Sequence, residues 1–313
     1  ENGEIKKQSF VDIIRELSVY VYGEKQTIYA ILIALLSKWH LLLQGAPGTW
    51  KTTLVRILAQ LSGFTYSRIQ CTPDLLPQDV IGTEVYDAVT KQFIIHYWPV
   101  VTNLLHIDEI NRATPKLQSA FLEVMQEKSI SIGKETKVLP DPFFVIATQN
   151  PYDAIGTYML PYGQLDRFML GVYTTSLDKE EEYKLLQDSK QQWLDAVPQN
   201  IVSVLDPKKV LSAQEEISKM EVSDDVLQHA VQCIYIAKKY ASWLSTRASK
   251  SLLLAAKAWA FLQDKNSVEK KDIDAVLSIV LRHRISYLLW KDIDTQTLYR
   301  IILWDAQKDD IAM

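Results

Sequence analysis

The stretch GAPGTWKTT, residues 45 to 53, follows the apolar run HLLLQ and opens an amphipathic segment. Backbone N–H groups gathered at a helix N-terminus bind a phosphate anion, a lysine reaches the outer phosphates of a nucleotide, and a hydroxyl serves Mg²⁺. Lys51 and Thr52 supply the lysine and the hydroxyl, and Gly45, Ala46, Pro47, Gly48, Thr49, Trp50 and Thr53 complete a candidate nucleotide loop. The exception is Trp50, which occupies the second glycine position of G-x-x-x-x-G-K-[ST].

Two further apolar runs end in polar residues. LLHIDEINR brings Asp108 and Glu109 to a strand tip, and FFVIATQNP does the same for Thr148, Gln149 and Asn150. In nucleotide hydrolysis a carboxylate pair divides labour: one carboxylate holds Mg²⁺ and the other orients the attacking water. Thr148, Gln149 and Asn150, taken alone, fit strand-end capping. They gain weight because parallel strands deliver their carboxyl ends to one crevice.

The elements that must position these residues follow from periodicity. HLLLQG, TYSRIQ, NLLHID and FFVIAT are short apolar runs that read as buried strands. Between them lie helical patterns: Leu54, Ile57, Leu58 and Leu61 recur at i, i+3, i+4 and i+7, and PKLQSAFLEVMQEK has Thr114 to cap it and Pro115 at its first position. Strands alternating with helices predict a parallel sheet covered on both faces, over residues 1 to 175. KSISIGKETKVL turns at Gly133 and Lys134 and predicts a hairpin at 129 to 138. The charged stretch 176 to 222 reads as a connection with an exposed helix face, and 223 to 313 as a smaller all-α domain.

Composition sets outer limits. The chain has 313 residues, of which 48% are hydrophobic, enough for a core without staples. A net charge of −4 argues against wholesale nucleic-acid binding. Cys71 and Cys233 lack C-x-x-C or Cys/His metal spacing and read as reduced thiols. No run approaches a membrane span, and the opening ENGEIKKQSF lacks an apolar export signal, so a cytoplasmic protein is expected. His106 reads as a core histidine, and Arg282 and Arg284 as structural residues.

In order along residues 20 to 285, the segments GAPGTWKTTLVR, TPDLLPQDVIGTEVYD, LLHIDEINRATPKLQSAFLEVMQE, PFFVIATQNP, GTYMLPYGQLDRFML, STRAS and VLRHRI resemble the MoxR type of AAA+ ATPase. The resemblance implies an α/β fold, an AAA+ P-loop NTPase core with a parallel sheet in an αβα sandwich, followed by a helical lid. It implies that Lys51 grips the β and γ phosphates of ATP, that Thr52 and Asp108 hold Mg²⁺, and that Glu109 polarises water. Asn150 matches sensor 1, Arg247 in STRAS matches sensor 2 of the lid, and Arg167 in QLDRF matches an arginine finger acting on a neighbour's ATP. A helix-surface ion pair of Arg167 with Asp166 or another carboxylate is the structural alternative. The family further implies a helix-2 insert near 71 to 103, a ring of six copies, and remodelling of client proteins bearing a von Willebrand factor A-type domain with a metal site.

Several positions depart from the family pattern. Trp39, Trp50, Trp98 and Trp243 stand where it has glycine, and Pro161, Tyr162 and Gly163 replace a segment with an acidic residue near Arg167. The chain holds 10 glycines in 313 residues, roughly 3% against about 7% on average. Two readings stay open: UGA codons meaning glycine were translated as tryptophan, or the tryptophans are real and compromise the loop, weakening or abolishing nucleotide binding and leaving a nucleotide-binding or catalytically dead scaffold. A nucleic-acid motor shares the same core and is the third reading, with the acidic balance against it.

Overall fold

The structure, a computed structural model, describes residues 2–20, 25–45, 50–87, 91–97, 99–133, 135–151, 156–174, 177–189, 201–285 and 299–303. Two helices, α1 (Asn2–Tyr20) and α2 (Lys25–Leu36), lead into β1 (Leu41–Gly45). There follow α3 (Lys51–Ser62), β2 (Tyr66–Gln70), α4 (Gln78–Ile81), the hairpin β3 (Gly82–Asp87) and β4 (Gln92–Tyr97), and β5 (Leu104–Asp108). A single turn, Ile110–Arg112, precedes α5 (Pro115–Glu127), the hairpin β6 (Ser129–Ile132) and β7 (Glu135–Val138), β8 (Phe144–Gln149), α6 (Tyr162–Leu165) and β9 (Leu170–Thr174). The remainder is helical apart from two short strands: α7 (Lys179–Ser189), α8 (Pro207–Ser218), β10 (Glu221–Val222), α9 (Asp224–Tyr240), α10 (Thr246–Leu262), β11 (Ser267–Val268) and α11 (Lys270–Ile285).

Five strands form one parallel sheet in the order β2-β5-β8-β1-β9. Every residue of β1 and β5 is buried, as expected for strands covered on both faces, which explains why they read as continuous apolar runs. Register brings the carboxyl ends level: Gln44 pairs with Gln149, and Gln70 with Asp108. Local chemistry sets the helix ends. Thr114 accepts from the Leu117 N–H with Pro115 behind it, and Gly63 ends α3 at φ 61°, a conformation glycine adopts at little cost.

Two apolar clusters hold the sandwich. One joins Phe10 and Leu17 of α1 to α2, α3 and β1, and continues through Val210, Ile234, Leu252 and Val280 of the C-terminal helices. The other packs Leu117 and Phe121 of α5 and Ile130 of β6 against Val145 of β8. Within the charged connection, α8 packs back on the core, where Gln214 Nε2 donates to the Leu35 carbonyl at 2.7 Å.

The C-terminal helices are fastened to the sheet by the RHR run. Arg284, fully buried, donates from Nε to Asp166 Oδ1 at 2.8 Å and from its terminal nitrogens to the carbonyls of Met169 and Phe168, each at 2.9 Å. His283 lies over Gly171, where an added Cβ would sit 2.4 Å from the histidine Cβ, so only glycine permits this approach. Arg282 stacks on Tyr173 at 4.6 Å. No helix among the described residues is long and apolar enough to cross a membrane.

His40 and His106 are buried in the sheet layer. The Val145 N–H donates to His40 Nδ1 at 3.1 Å, which puts the proton on Nε2, where it meets the Met125 carbonyl at 2.9 Å. Burial lowers both rings from an ordinary 6.5 to about 4. Their neutral burial therefore stabilises the fold fully above pH 6.5, and that contribution is lost as pH falls from 6.5 towards 4, by up to about 3 kcal/mol each. Urea midpoints measured between pH 7.5 and 4.5 should fall; a flat profile down to pH 5 would contradict the buried neutral rings.

Candidate functional site

The carboxyl edge of the sheet is where the sequence-derived residues meet. Gly45 ends β1 beside β9, and a Cβ there would lie 2.0 Å from Thr174 Oγ1, so the loop must leave the strand from glycine. Ala46, Pro47, Gly48 and Thr49 lie outside the described residues. The chain is described again at Trp50, and Lys51, Thr52 and Thr53 form the first turn of α3, each half-buried. Lys51 Nζ donates to the Gly45 carbonyl at 2.7 Å, so its ammonium folds back across the loop.

Trp50 is the N-cap of α3, with φ 52° and ψ 2°, and its carbonyl accepts from the Leu54 N–H at 2.8 Å. This left-handed conformation costs an L-residue about 1–2 kcal/mol and costs glycine almost nothing. The indole packs against the main apolar cluster. Trp39 and Trp243 differ, since neither has a positive φ. Trp243 stacks on Tyr162 at 4.6 Å and donates to the Arg284 carbonyl at 2.9 Å. Trp98 lies outside the described residues.

Asp108 ends β5 and Glu109 begins the next turn at φ 56°, a left-handed backbone on a non-glycine residue of the kind that gathers at functional sites. The Thr148 hydroxyl from β8 joins the pair, donating to Asp108 Oδ1 at 2.5 Å and accepting from the Glu109 N–H at 2.9 Å. Arg68 on β2 donates to Asp108 Oδ2 at 2.5 Å and 3.1 Å. Burial alone would raise the Asp108 pKa, but the hydrogen bonds from Thr148 and Arg68 outweigh it and hold the carboxyl below its ordinary value. Gln70 Nε2 donates to Glu109 Oε2 at 3.0 Å, and Arg112 pairs with the same oxygen at 3.0 Å.

Motif spacing in the sequence pointed to neither Arg68 nor Gln70. The available signal was the alternation of β2, which puts residues 68 and 70 on one face, directed towards the neighbouring strand tip. Asn150 is buried just past β8, its backbone carbonyl accepting from Asn111 Nδ2 at 3.2 Å. His106 is fully buried, with Nδ1 3.3 Å from the Tyr66 hydroxyl; its Nε2 lies 3.8 Å from Asp108 Oδ1 and has no hydrogen-bond partner.

Arg167 does not pair with Asp166. That carboxylate is taken by Arg284 Nε and by the Ser245 hydroxyl at 2.5 Å, and Arg167 Nε is buried without a hydrogen-bond partner. Met169 bonds to the His40 carbonyl at the amino edge of β1, so Arg167 approaches from the edge opposite the loop, a strand length of roughly 16 Å away. Arg247, in the first turn of α10, lies 3.9 Å from Asp166 Oδ2 and is 44% exposed. The structure thus separates the residues into two groups: Lys51, Thr52, Asp108, Glu109 and Asn150 at the carboxyl edge, and Arg167 and Arg247 on either side of Asp166.

Residues 40–170 match the ATPase family associated with various cellular activities (AAA), and residues 237–298 match the AAA lid domain. Among curated proteins, the chain is 37% identical to Chaperone MoxR1 of Mycobacterium tuberculosis over 96% of its own length and 77% of that protein. It is 36% identical to the uncharacterized protein YeaC of Bacillus subtilis, covering 87% and 85% of the two chains. Among solved structures, a candidate ATPase from Cytophaga hutchinsonii superposes with a TM-score of 0.84 at 34% identity, over 97% of this chain and 96% of that one.

Proposed function

The chain belongs to the MoxR family of AAA ATPases, and from that premise we propose that it hydrolyses ATP with Mg²⁺ at the subunit interfaces of a cytoplasmic six-membered ring. The work done is remodelling or maturation of a client protein, with von Willebrand factor A-type, metal-bearing proteins as the client class. The observation that carries this reading is the Asp108–Glu109 turn, held by Thr148, Arg68 and Gln70 at the same sheet edge as the loop lysine.

Each residue has a separable task. Lys51 exchanges its contact with the Gly45 carbonyl for the outer phosphates. The hard oxygen donors of Thr52 and the ionised Asp108 suit Mg²⁺, which when bound would offset charge on the β and γ phosphates. Glu109, freed from Gln70 and Arg112, aligns the attacking water, and Asn150 helps to place it. Arg167 is offered to the nucleotide of the adjoining subunit, and Arg247, 3.9 Å from Asp166, couples nucleotide state to the angle of the lid.

Glu109→Gln tests the assignment. It keeps the side-chain shape but removes the water-orienting charge, so ATP binding should persist while turnover falls at least about 100-fold, the scale of lost general-base catalysis. Turnover equal to the parent chain would remove Glu109 from the chemistry.

The second reading, a ring that binds nucleotide without turnover, is favoured by one observation: the tryptophan held in a left-handed conformation at the mouth of the loop.

A further inference from the structure

Away from the nucleotide site, three potential metal ligands meet between two lid helices. His229 and Cys233 are i and i+4 on α9, hence on one face of that helix, and both are buried. Asp274 comes from α11, with a side chain 27% exposed. One ligand atom from each residue falls within 4.8 Å of the other two. His229 Nε2 lies 2.7 Å from Asp274 Oδ1 and 3.8 Å from Cys233 Sγ.

We propose that His229, Cys233 and Asp274 form a zinc site that fastens α9 to α11. Three arguments support it. The first is geometric: tetrahedral Zn²⁺ with Zn–S near 2.3 Å and Zn–N or Zn–O near 2.0–2.2 Å separates its ligand atoms by roughly 3.4–3.6 Å. The imidazole and thiol are already about that far apart, and the carboxylate, 2.7 Å from the imidazole nitrogen and within 4.8 Å of the sulfur, has to shift by on the order of 1 Å, a movement its partly exposed position permits.

The second is charge. A thiolate and a carboxylate neutralise a divalent cation, so the loaded site is a buried neutral unit and avoids the cost of isolated buried charge. Binding releases the thiol proton, and the neutral imidazole coordinates through Nε2.

The third argument is the chemistry of the donor set. The set of one sulfur, one nitrogen and one oxygen ligand, with a fourth position reachable from the Asp274 side, is one that borderline-soft Zn²⁺ takes readily and Mg²⁺ does not. The spacing that identifies it, His-x-x-x-Cys within a helix, has its third member 41 residues further on and is not a recognisable motif in sequence.

The experiment uses the full chain, stripped with a chelator and titrated with Co²⁺ as an optical stand-in for Zn²⁺. About one equivalent should bind with a near-ultraviolet sulfur-to-cobalt band and intense visible bands, all displaced by Zn²⁺. Co²⁺ bound at the Mg²⁺ site would lack the sulfur band. Cys233→Ser should abolish that band, and Asp274→Asn, a change at a partly exposed position, should weaken binding about tenfold or more with the fold intact. Added Zn²⁺ should raise the thermal midpoint of the parent chain by mass action and leave that of Cys233→Ser unmoved. No stoichiometric uptake, or an unchanged sulfur band in Cys233→Ser, overturns the proposal.

Discussion

Replacing Trp50 with glycine is expected to tighten ATP binding by about 10- to 100-fold. Residue 50 holds a left-handed backbone at the entrance to α3, where its N–H must face a phosphate while an indole packs against the core beside it. Glycine adopts that conformation freely and leaves space for the anion. A hydrogen bond to a charged group contributes about 1.5–3 kcal/mol, so one recovered amide–phosphate contact accounts for the whole expected gain. Titration calorimetry of the parent chain and Trp50→Gly with a slowly hydrolysed ATP analogue measures it directly. Equal affinities would mean that the indole is tolerated and that the loop binds nucleotide as written.

The same experiment bears on decoding. The backbone demand for glycine is strong at Trp50 and absent at Trp39 and Trp243, where the indoles find room. Among the described residues, position 50 is therefore the one of these tryptophans where a misread UGA codon would strain the backbone. Coding DNA with UGG at positions 39, 50, 98 and 243 would refute the decoding reading, leaving Trp50 as a real residue that impairs the loop.

Arg167→Ala is expected to lower turnover by about 10³- to 10⁵-fold while leaving ATP affinity nearly unchanged, the signature of an arginine finger supplied in trans. The fold should tolerate the change, because the carboxylate next to Arg167 in sequence is committed to Arg284 and Ser245. Mixing Arg167→Ala with Glu109→Gln subunits supplies a sharper test. A site with an intact Glu109 can then receive an intact Arg167 from its neighbour, so mixed rings should recover part of the activity that both parents lack. Normal turnover in Arg167→Ala, or no recovery on mixing in rings shown to contain both variants, would sink the trans assignment.

Much of this was legible in the sequence because the signals are local. The strand-loop-helix around Lys51, the apolar strand before Asp108 and Glu109, the hairpin at 129 to 138 and the Thr114–Pro115 helix start each depend on residues within a few positions of one another. Periods of two and of 3.6, and the turn chemistry between them, are set by backbone geometry. Of the alternatives for Arg167, the ion pair with Asp166 is not found. Adjacency in sequence made it plausible, but Asp166 turns instead to a guanidinium 118 positions away.

What the sequence by itself determined was therefore the inventory: a parallel-sheet nucleotide core, a helical lid, and which polar residues end the strands. Tertiary structure alone decided how those residues are paired and held. Arg68 reaches Asp108 across 40 positions, and His229 reaches Asp274 across 45. The physical reason is that such contacts depend on strand order, register and helix packing, which are settled by burying apolar surface across the whole chain and leave no short-range pattern at the residues they join.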